Sequence, residues 1–316
     1  MSETVSFIVP CFNEAENIRP LYEAFRKVFN VSPYEWELIY VDDGSKDDTF
    51  KVIGNVVIQA EQKSERVSAI QFSRNFGKDA AIYAGLRSAK GSIVGIIDGD
   101  LQQPPEDALQ MVNILTENNE IDSVAAYQKQ RKESIIMSKF KKLFYKVFSK
   151  IAKLNIIENA SDFRVMKRPM VNAILDMPES GRFSKGIFAW VGFNTQSFPY
   201  EPSPRAKGNS KYSTLSLIKY AFNGIISFST VALRFAIILG FIIAVVAIVY
   251  AVIVVMQTLL QGVQIPGYAT LLTIMLLLGA VQLFCIGILG EYIGRDYLEN
   301  KSRPIYIKRK RITSWK

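Results

Sequence analysis

The chain has 316 residues, of which 38 are Lys or Arg and 29 are Asp or Glu, so its formal net charge is +9. It contains no histidine, which excludes Ser-His-Asp triads and restricts any metal site to oxygen ligands, as preferred by Mg²⁺ or Mn²⁺. The two cysteines, Cys11 and Cys285, exclude a disulfide framework, and the 20 Phe and 14 Tyr exclude a disordered chain.

The first hundred residues alternate between short β-rich runs and helical patterns. A helix is predicted at residues 78–89, and another is expected to follow Asn13, with Glu16 completing a capping box. Strands are predicted at residues 4–10, 36–41, 67–72 and 92–98. Strands that alternate with helices predict an α/β fold with a mostly parallel sheet.

Acidic residues follow two of these predicted strands. Asp42 and Asp43 come after the second strand, and Asp98 and Asp100, separated by Gly99, come after the fourth. Parallel sheets bind ligands beyond the carboxyl ends of their strands, so these carboxylates are expected to converge. Two carboxylates so spaced can hold one divalent cation and leave room for diphosphate oxygens. An ordinary Asp-Gly turn is the alternative interpretation of the same residues.

Two later segments carry apolar residues at steps of three and four. They are residues 133–154, in which six lysines cover much of the remaining surface, and residues 214–229. This pattern is typical both of a helix packed on its own domain and of a helix lying in a membrane interface. The apolar sequence that follows favours the membrane.

No charged residue occurs between Phe235 and Gly290. The run divides into residues 235–256 and 268–290, each near the roughly 20 residues that a membrane-spanning helix needs. A buried helical hairpin of a soluble protein is the alternative. The loop between the segments is uncharged and the tail is rich in Lys and Arg, so the positive-inside rule predicts that both termini are cytoplasmic.

Three strand-end motifs, taken in order, resemble those of family-2 glycosyltransferases with the GT-A fold. They are residues 9–14 (Val-Pro-Cys-Phe-Asn-Glu), 41–45 (Val-Asp-Asp-Gly-Ser) and 98–102 (Asp-Gly-Asp-Leu-Gln). Further segments resemble the polyprenyl-phosphate glycosyltransferases, which include bacterial bactoprenol glucosyltransferases and, more distantly, dolichyl-phosphate mannose synthases. These are residues 73–78, 161–164, 205–212 and 290–295, so the resemblance covers nearly the whole chain.

The resemblance implies a Rossmann-like GT-A domain, interfacial helices and two transmembrane helices. The implied parts are a catalytic domain at residues 1–212, an interfacial helix at 213–230, a transmembrane hairpin at 231–296 and a basic cytoplasmic tail at 297–316. It also implies a nucleotide-sugar site formed by Pro10, Phe12, Glu14, Val41, Asp43, Asp98, Gly99 and Asp100.

The other implied site residues serve the metal and the acceptor. Mg²⁺ or Mn²⁺ is expected on Asp98, Asp100 and Gln102, and phosphate of the donor or the lipid on Arg131, Arg205 and Lys211. Asp162 is the expected base, catalytic together with Asp98 and Asp100; a structural pair with Arg164 is the alternative. A lipid monophosphate is largely ionised at pH 7, its second pKa being about 6, so Asp162 either takes a residual proton or orients the phosphate.

The chain departs from the family's patterns at two points. Gln128 stands where members often carry Arg, so Lys129 or Arg131 supplies the charge or the donor differs. The Gln-x-x-Arg-Trp sequence of processive synthases is absent, which favours transfer of a single sugar.

The resemblance therefore implies an inverting, metal-dependent glycosyltransferase on the cytoplasmic face of a bacterial inner membrane. It would move one hexose, glucose first, from a UDP-sugar to undecaprenyl phosphate for modification of cell-envelope glycans such as lipopolysaccharide or cell wall. UDP-N-acetylglucosamine or GDP-mannose as donor, and a non-catalytic nucleotide-sugar binder in the membrane, are the alternatives. The expected partners are the bilayer and a second copy of the chain, and no nucleic acid.

Overall fold

A computed structural model describes residues 3–128, 160–203, 229–261 and 267–315. The predictions for residues 133–154, for Arg131, Arg205 and Lys211, and for nearly all of 213–230 lie outside these described residues. The chain forms two compact units, one of residues 1–218 together with 303–316 and one of residues 219–302.

A mixed sheet forms the centre of the first unit. Its described strands, in chain order, are β1 (Thr4–Cys11), β2 (Glu35–Asp42), β3 (Arg66–Phe72), β4 (Ile93–Ile96), β5 (Ser123–Gln128), β6 (Ala160–Lys167), β7 (Thr195–Tyr200) and β8 (Lys308–Thr313). Across the sheet they follow the order β7-β5-β6-β4-β1-β2-β3-β8. The four central strands are parallel, whereas β6 and β8 run antiparallel to β4 and β3. The predicted α/β fold is confirmed, with antiparallel strands flanking the parallel centre.

Helices cover both faces of this sheet. Phe7 contacts Phe25 and Phe29 of a helix on one face, with ring centroids 5.1 and 5.2 Å away. Ile8 points to the other face, where a Cβ on Gly85 would lie 2.2 Å from its Cγ2 atom. The described helices of this unit are α1 (Ala15–Phe29), α2 (Thr49–Gln62), α3 (Lys78–Ser88), α4 (Pro105–Glu117), α5 (Arg168–Leu175) and α6 (Ser184–Trp190).

The predicted strands and the helix at 78–89 are confirmed, but the capping box is wrong. Helix α1 begins at Ala15, and the side chain of its N-cap residue, Glu14, makes no capping hydrogen bond. Asn13 adopts a left-handed backbone with φ of 54°, and its Oδ1 accepts the N–H of Lys46, 2.9 Å away. The Asn13 side chain thus joins the loops after β1 and β2 and is not available to the helix.

Strand β8 comes from the carboxyl end of the chain. It runs antiparallel to β3, with Ile312 opposite Ala69. Beyond it, the Ser314 hydroxyl accepts the N–H of Val67 at 2.9 Å and donates to the carbonyl of Glu65 at 2.6 Å. The strand was not predicted, because its first four residues are all basic and show no apolar alternation.

Two long apolar helices, α7 (Val231–Gln261) and α8 (Tyr268–Asn300), dominate the second unit. Their segments Val231–Val254 and Leu277–Asn300 are long and apolar enough to cross a membrane. The Tyr292 hydroxyl near the end of α8 donates to the carbonyl of Ser229, just before α7, at 2.7 Å, so the helices form an antiparallel hairpin. Their apolar side chains are largely exposed, which favours the membrane interpretation over a buried hairpin.

Candidate active site

The register between β4 and β6 brings two distant carboxylates to one edge of the sheet. The carboxyl ends of β1, β2 and β4 share this edge because these strands are parallel. Since β6 is antiparallel to β4, its amino-terminal half lies at the same edge, with Arg164 opposite Ile96. Continuing that register by two residues brings Asp162 opposite Asp98.

Lys78, the first residue of α3, joins these two carboxylates. Its Nζ atom lies 2.6 Å from Oδ1 of Asp98 and 2.8 Å from Oδ2 of Asp162. The side chains are partly enclosed, with exposed fractions of 36% for Lys78, 28% for Asp98 and 17% for Asp162. Lys78 was not predicted as a site residue, although it ends the segment 73–78 that resembles the polyprenyl-phosphate glycosyltransferases.

The charges at this centre hold both Lys78 and Asp162 ionised. Burial opposes the ammonium charge of Lys78, but Asp162 and Asp98 outweigh it and keep the pKa of Lys78 well above its ordinary value. Burial likewise raises the pKa of Asp162, but the charges of Lys78, Lys185 and Arg164 and the hydrogen bond from Lys78 lower it well below its ordinary value.

Arg164 does not form the direct ion pair with Asp162 that was the alternative interpretation. Among the described residues, the cation in salt-bridge contact with Asp162 is Lys78. The Arg164 guanidinium lies 3.7 Å from the ring centre of Phe188, and its Nε makes no hydrogen bond within the described residues. Burial lowers the pKa of Arg164 to about 10, against the opposing charge of Asp162.

The loop after β4 holds Asp98 through Gln103. The backbone N–H of Asp98 donates to Oε1 of Gln103 at 2.7 Å, and Nε2 of Gln103 donates to Oδ2 of Asp98 at 2.9 Å. The backbone N–H of Gln102 donates to Oδ1 of Asp100 at 3.2 Å, and Leu101 has a left-handed φ of 61°. Sequence reasoning selected Gln102 and missed Gln103, because nothing in two adjacent glutamines shows which one turns inward.

The same loop offers oxygen atoms that suit a hard divalent cation. The carboxylates of Asp98 and Asp100 and the amide oxygen of Gln102 are of the type that Mg²⁺ and Mn²⁺ prefer. Within the described ranges, no group of three or more His, Cys, Asp or Glu side chains is arranged to hold a metal. The oxygen donors of Asp98, Asp100 and Gln102 fit, by their chemistry, a cation that takes its remaining ligands from a bound substrate or water.

Asp43 holds the loop that leads into Lys78. Its Oδ1 accepts the N–H of Phe76 at 2.6 Å, and its Oδ2 accepts the N–H of Gly77 at 2.9 Å. Burial raises the pKa of Asp43, and these two N–H groups only partly oppose the rise. Asp43 thus positions Lys78 through the backbone, and its predicted nucleotide contact stays a prediction.

The other predicted nucleotide-site residues lie around the ends of β1, β2 and β4. Glu14 accepts a hydrogen bond from Nδ2 of Asn17 at 2.6 Å. The side chain of Val41 is fully buried, so only its backbone is available to a ligand. A Cβ on Gly99 would lie 3.5 Å from Sγ of Cys11, so this loop packs on the end of β1. The same edge also carries Pro10, Phe12 and Gln128, the last residue of β5.

Comparison with known proteins identifies two family regions. A model of glycosyl transferase family 2 matches residues 6–175, and a model of the GtrB C-terminal hairpin matches residues 233–295. The chain is 39% identical over 306 residues to the bactoprenol glucosyl transferase of Shigella phage SfV, covering 96% of this chain and 97% of that protein. It is 38% identical over 306 residues to the prophage bactoprenol glucosyl transferase homolog of Escherichia coli K12, covering 96% and 97%.

A solved structure shares the fold of the sheet domain. It is glucosyl-3-phosphoglycerate synthase from Mycobacterium tuberculosis, in complex with Mn²⁺, UDP and phosphoglyceric acid. The TM-score is 0.51 at 17% identity, covering 71% of this chain and 76% of that chain.

Gly44 generates a test of the loop that positions Lys78. Gly44 has a φ of 66°, and a Cβ there would lie 2.4 Å from the carbonyl carbon of Arg74. Gly44→Ala should therefore displace residues 73–77, lower the melting temperature and reduce activity, since a Cβ is unfavourable at this φ by about 1 kcal/mol before the clash is added. Thermal unfolding and activity of the purified full-length protein are the measurements.

The matched control is Gly181→Ala, because a Cβ at Gly181 would meet nothing within 4 Å. This variant should unfold and react as the wild type does. Equal behaviour of the two variants would contradict the close approach of the loops.

Proposed function

The chain belongs to glycosyltransferase family 2 and carries the GtrB C-terminal hairpin, and from that premise we propose that it transfers one glucose from UDP-glucose to undecaprenyl phosphate. The observation that carries the proposal is the convergence of Asp98 and Asp162 on Lys78 at one sheet edge, in a chain that continues into an apolar hairpin. Glucose is proposed because two relatives that align with 96% of this chain are named a bactoprenol glucosyl transferase and a bactoprenol glucosyl transferase homolog.

The proposed reaction is a single displacement with inversion. A phosphate oxygen of the lipid attacks the anomeric carbon as the bond from that carbon to the UDP oxygen breaks, and UDP leaves with the bonding electrons. The transition state resembles an oxocarbenium ion, and negative charge grows on the departing diphosphate. Groups that stabilise this charge lower the barrier most, since the interaction strengthens in the transition state.

Asp98, Asp100 and Gln102 are the proposed holders of Mg²⁺ or Mn²⁺. When bound, such a cation supplies positive charge next to the diphosphate that leaves. The interaction of Gln103 with Asp98 keeps that carboxylate in place before any ligand arrives, so the protein does not have to order it during the reaction.

Asp162 is proposed to orient the acceptor. Its pKa lies below the ordinary range, so it is ionised at neutral pH and has little tendency to take a proton. The lipid phosphate needs little help to lose its second proton, because that pKa is about 6. A carboxylate paired with Lys78 can instead fix the ammonium where phosphate oxygens arrive. Arg131, Arg205 and Lys211 remain proposed phosphate ligands from outside the described residues.

The position of β8 supports a topology with an even number of membrane crossings. Residues 308–313 pair with β3, so the chain after the hairpin returns to the catalytic sheet. Two crossings, one by α7 and one by α8, meet this requirement. Together with the uncharged loop and the basic tail, this supports both termini in the cytoplasm, where UDP-sugars are made available. Homo-oligomer formation is a further proposal.

The donor is tested by incubating the purified protein with radiolabelled UDP-glucose, UDP-N-acetylglucosamine or GDP-mannose and undecaprenyl phosphate. Label should enter the lipid extract from UDP-glucose, vanish with EDTA and return with Mg²⁺ or Mn²⁺. Asp100→Asn should keep the fold and reduce transfer at least about a hundredfold, the loss typical of one electrostatic group in a transition state.

The control for Asp100→Asn is Glu106→Gln, an exposed carboxylate in the first turn of α4. Its activity should equal that of the wild type. Label that enters the lipid only from another donor would contradict glucose as the transferred sugar. Full activity of Asp100→Asn in chelator would contradict the role proposed for the metal.

The role of Asp162 is tested by the pH profile of transfer between pH 5.5 and 8.5. A depressed pKa keeps the Asp162 charge throughout this range, and the charge would be lost only as the pH fell far below it. Asp162→Asn should therefore lower transfer by a constant factor while both profiles rise near pH 6–7 with the second ionisation of the lipid phosphate, whose pKa is about 6.

Asp176→Asn, at an exposed carboxylate after α5, is the control and should match the wild type at each pH. A defect of Asp162→Asn that shrank as the pH rose would show instead that Asp162 removes a residual proton.

The topology is tested with single cysteines in a Cys285→Ala background, since Cys11 is buried. A membrane-impermeant maleimide should label Gln264→Cys in intact cells and Arg303→Cys only after permeabilisation. Labelling of Arg303→Cys from outside would contradict the return of the chain to the cytoplasmic side.

A further inference from the structure

Lys78 uses one ammonium group to bind two carboxylates that belong to opposite sides of the proposed reaction. Asp98 belongs to the donor side and Asp162 to the acceptor side. The Nζ atom lies 2.6 Å from the first and 2.8 Å from the second, so both contacts are short, charge-assisted hydrogen bonds. The proposed function uses Lys78 only through its pairing with Asp162, and this inference goes beyond it by giving a role to the contact with Asp98.

The fold determines where the backbone of Lys78 lies. The residue opens α3, and the two N–H groups that precede it are bound by the buried carboxylate of Asp43. The preceding Gly77 has a φ of 100°, a conformation that directs the chain sharply into the helix. The backbone of Lys78 is thus held by the contacts of Asp43 before it and by helix α3 after it.

Both oxygens of Asp98 already accept hydrogen bonds. Oδ1 is bound by Lys78, and Oδ2 is bound by Nε2 of Gln103. A divalent cation that binds Asp98 must therefore share or replace a donor. The amide of Gln103 carries no net charge, whereas the ammonium of Lys78 repels the incoming cation, so Lys78 is the donor that yields.

We propose that Lys78 is a positioning residue whose ammonium group is replaced on Asp98 by the incoming divalent cation. The ammonium remains bound to Asp162, where its freed N–H groups meet the acceptor phosphate. The proposal rests on the proposed function, because it requires a cation at Asp98. Lys78 thereby links the two halves of the reaction. Its ammonium group becomes available to the acceptor phosphate only when the divalent cation has bound at Asp98 on the donor side.

Binding of Mn²⁺ alone to the full-length protein in detergent, followed by electron paramagnetic resonance, tests the exchange without donor or lipid. Lys78→Met should bind Mn²⁺ about tenfold more tightly, because a repelling charge next to Asp98 is removed. Lys78→Arg, which keeps the charge, should stay within about threefold of the wild type. Lys90→Met, at an exposed lysine just beyond the other end of α3, is the matched control and should show no change.

Asp162→Asn should change the affinity for Mn²⁺ in the opposite direction. Without the charge of Asp162, Lys78 is held by Asp98 alone, so Mn²⁺ should bind more weakly than in the wild type. In the double variant with Lys78→Met, most of this weakening should disappear, since no ammonium is left to redistribute. If Asp162→Asn weakened binding equally in both backgrounds, its own charge would account for the effect and the exchange would be overturned.

Transfer activity separates this role from a structural one. Lys78→Met should lower transfer to undecaprenyl phosphate while Mn²⁺ binding rises, whereas a variant that merely folds badly would lose both. Unchanged or weaker Mn²⁺ binding by a folded Lys78→Met protein would overturn the proposal, and if that variant unfolds, the Lys78→Arg and Asp162→Asn arms decide it. A wild type that binds Mn²⁺ through Asp98 but transfers no sugar would refute the proposed function and leave the exchange intact.

Discussion

The antiparallel pairing of β6 with β4 is the constraint on which the site depends. Parallel strands alone would gather only residues that follow β1, β2 and β4. Because β6 enters the sheet in the opposite direction, Asp162 reaches the edge at which Asp98 already lies. Two carboxylates at such proximity need a shared cation, which Lys78 provides. The register of β6 on β4 thus determines where the two carboxylates meet, and the ion pair with Lys78 forms there.

The site is also built from residues whose contacts are local to the loops. Asp43 accepts two backbone N–H groups, Gln103 binds Asp98 through two atoms, and Gly44 lets neighbouring loops approach within a distance that a Cβ would forbid. These contacts place the charges before any ligand binds, and such preorganised placement lowers the cost of reorganisation in the reaction. The strained backbone of Leu101 lies in the same loop as Asp98.

Much of the parallel centre was predictable from the sequence, and the long-range contacts were not. Alternating patterns predicted β1 to β4 because buried parallel strands are apolar throughout. Asp162 was assigned to the site only through a family resemblance, since no local pattern reveals antiparallel pairing across the segment between β5 and β6. Gln103 was missed because inward orientation depends on the loop, and β8 was missed because its exposed, basic residues pair through their backbone.

The pairing of β8 with β3 also has a consequence for biosynthesis. Among the described strands, β8 is translated after all the others and after both apolar helices. Until then the edge of β3 presents unpaired N–H and C=O groups, the kind of edge that invites aggregation. Completion of the sheet therefore waits for the hairpin to be translated. A nascent chain halted within α7 or α8 would carry nearly every described strand of the sheet and still expose an open edge to chaperones and proteases.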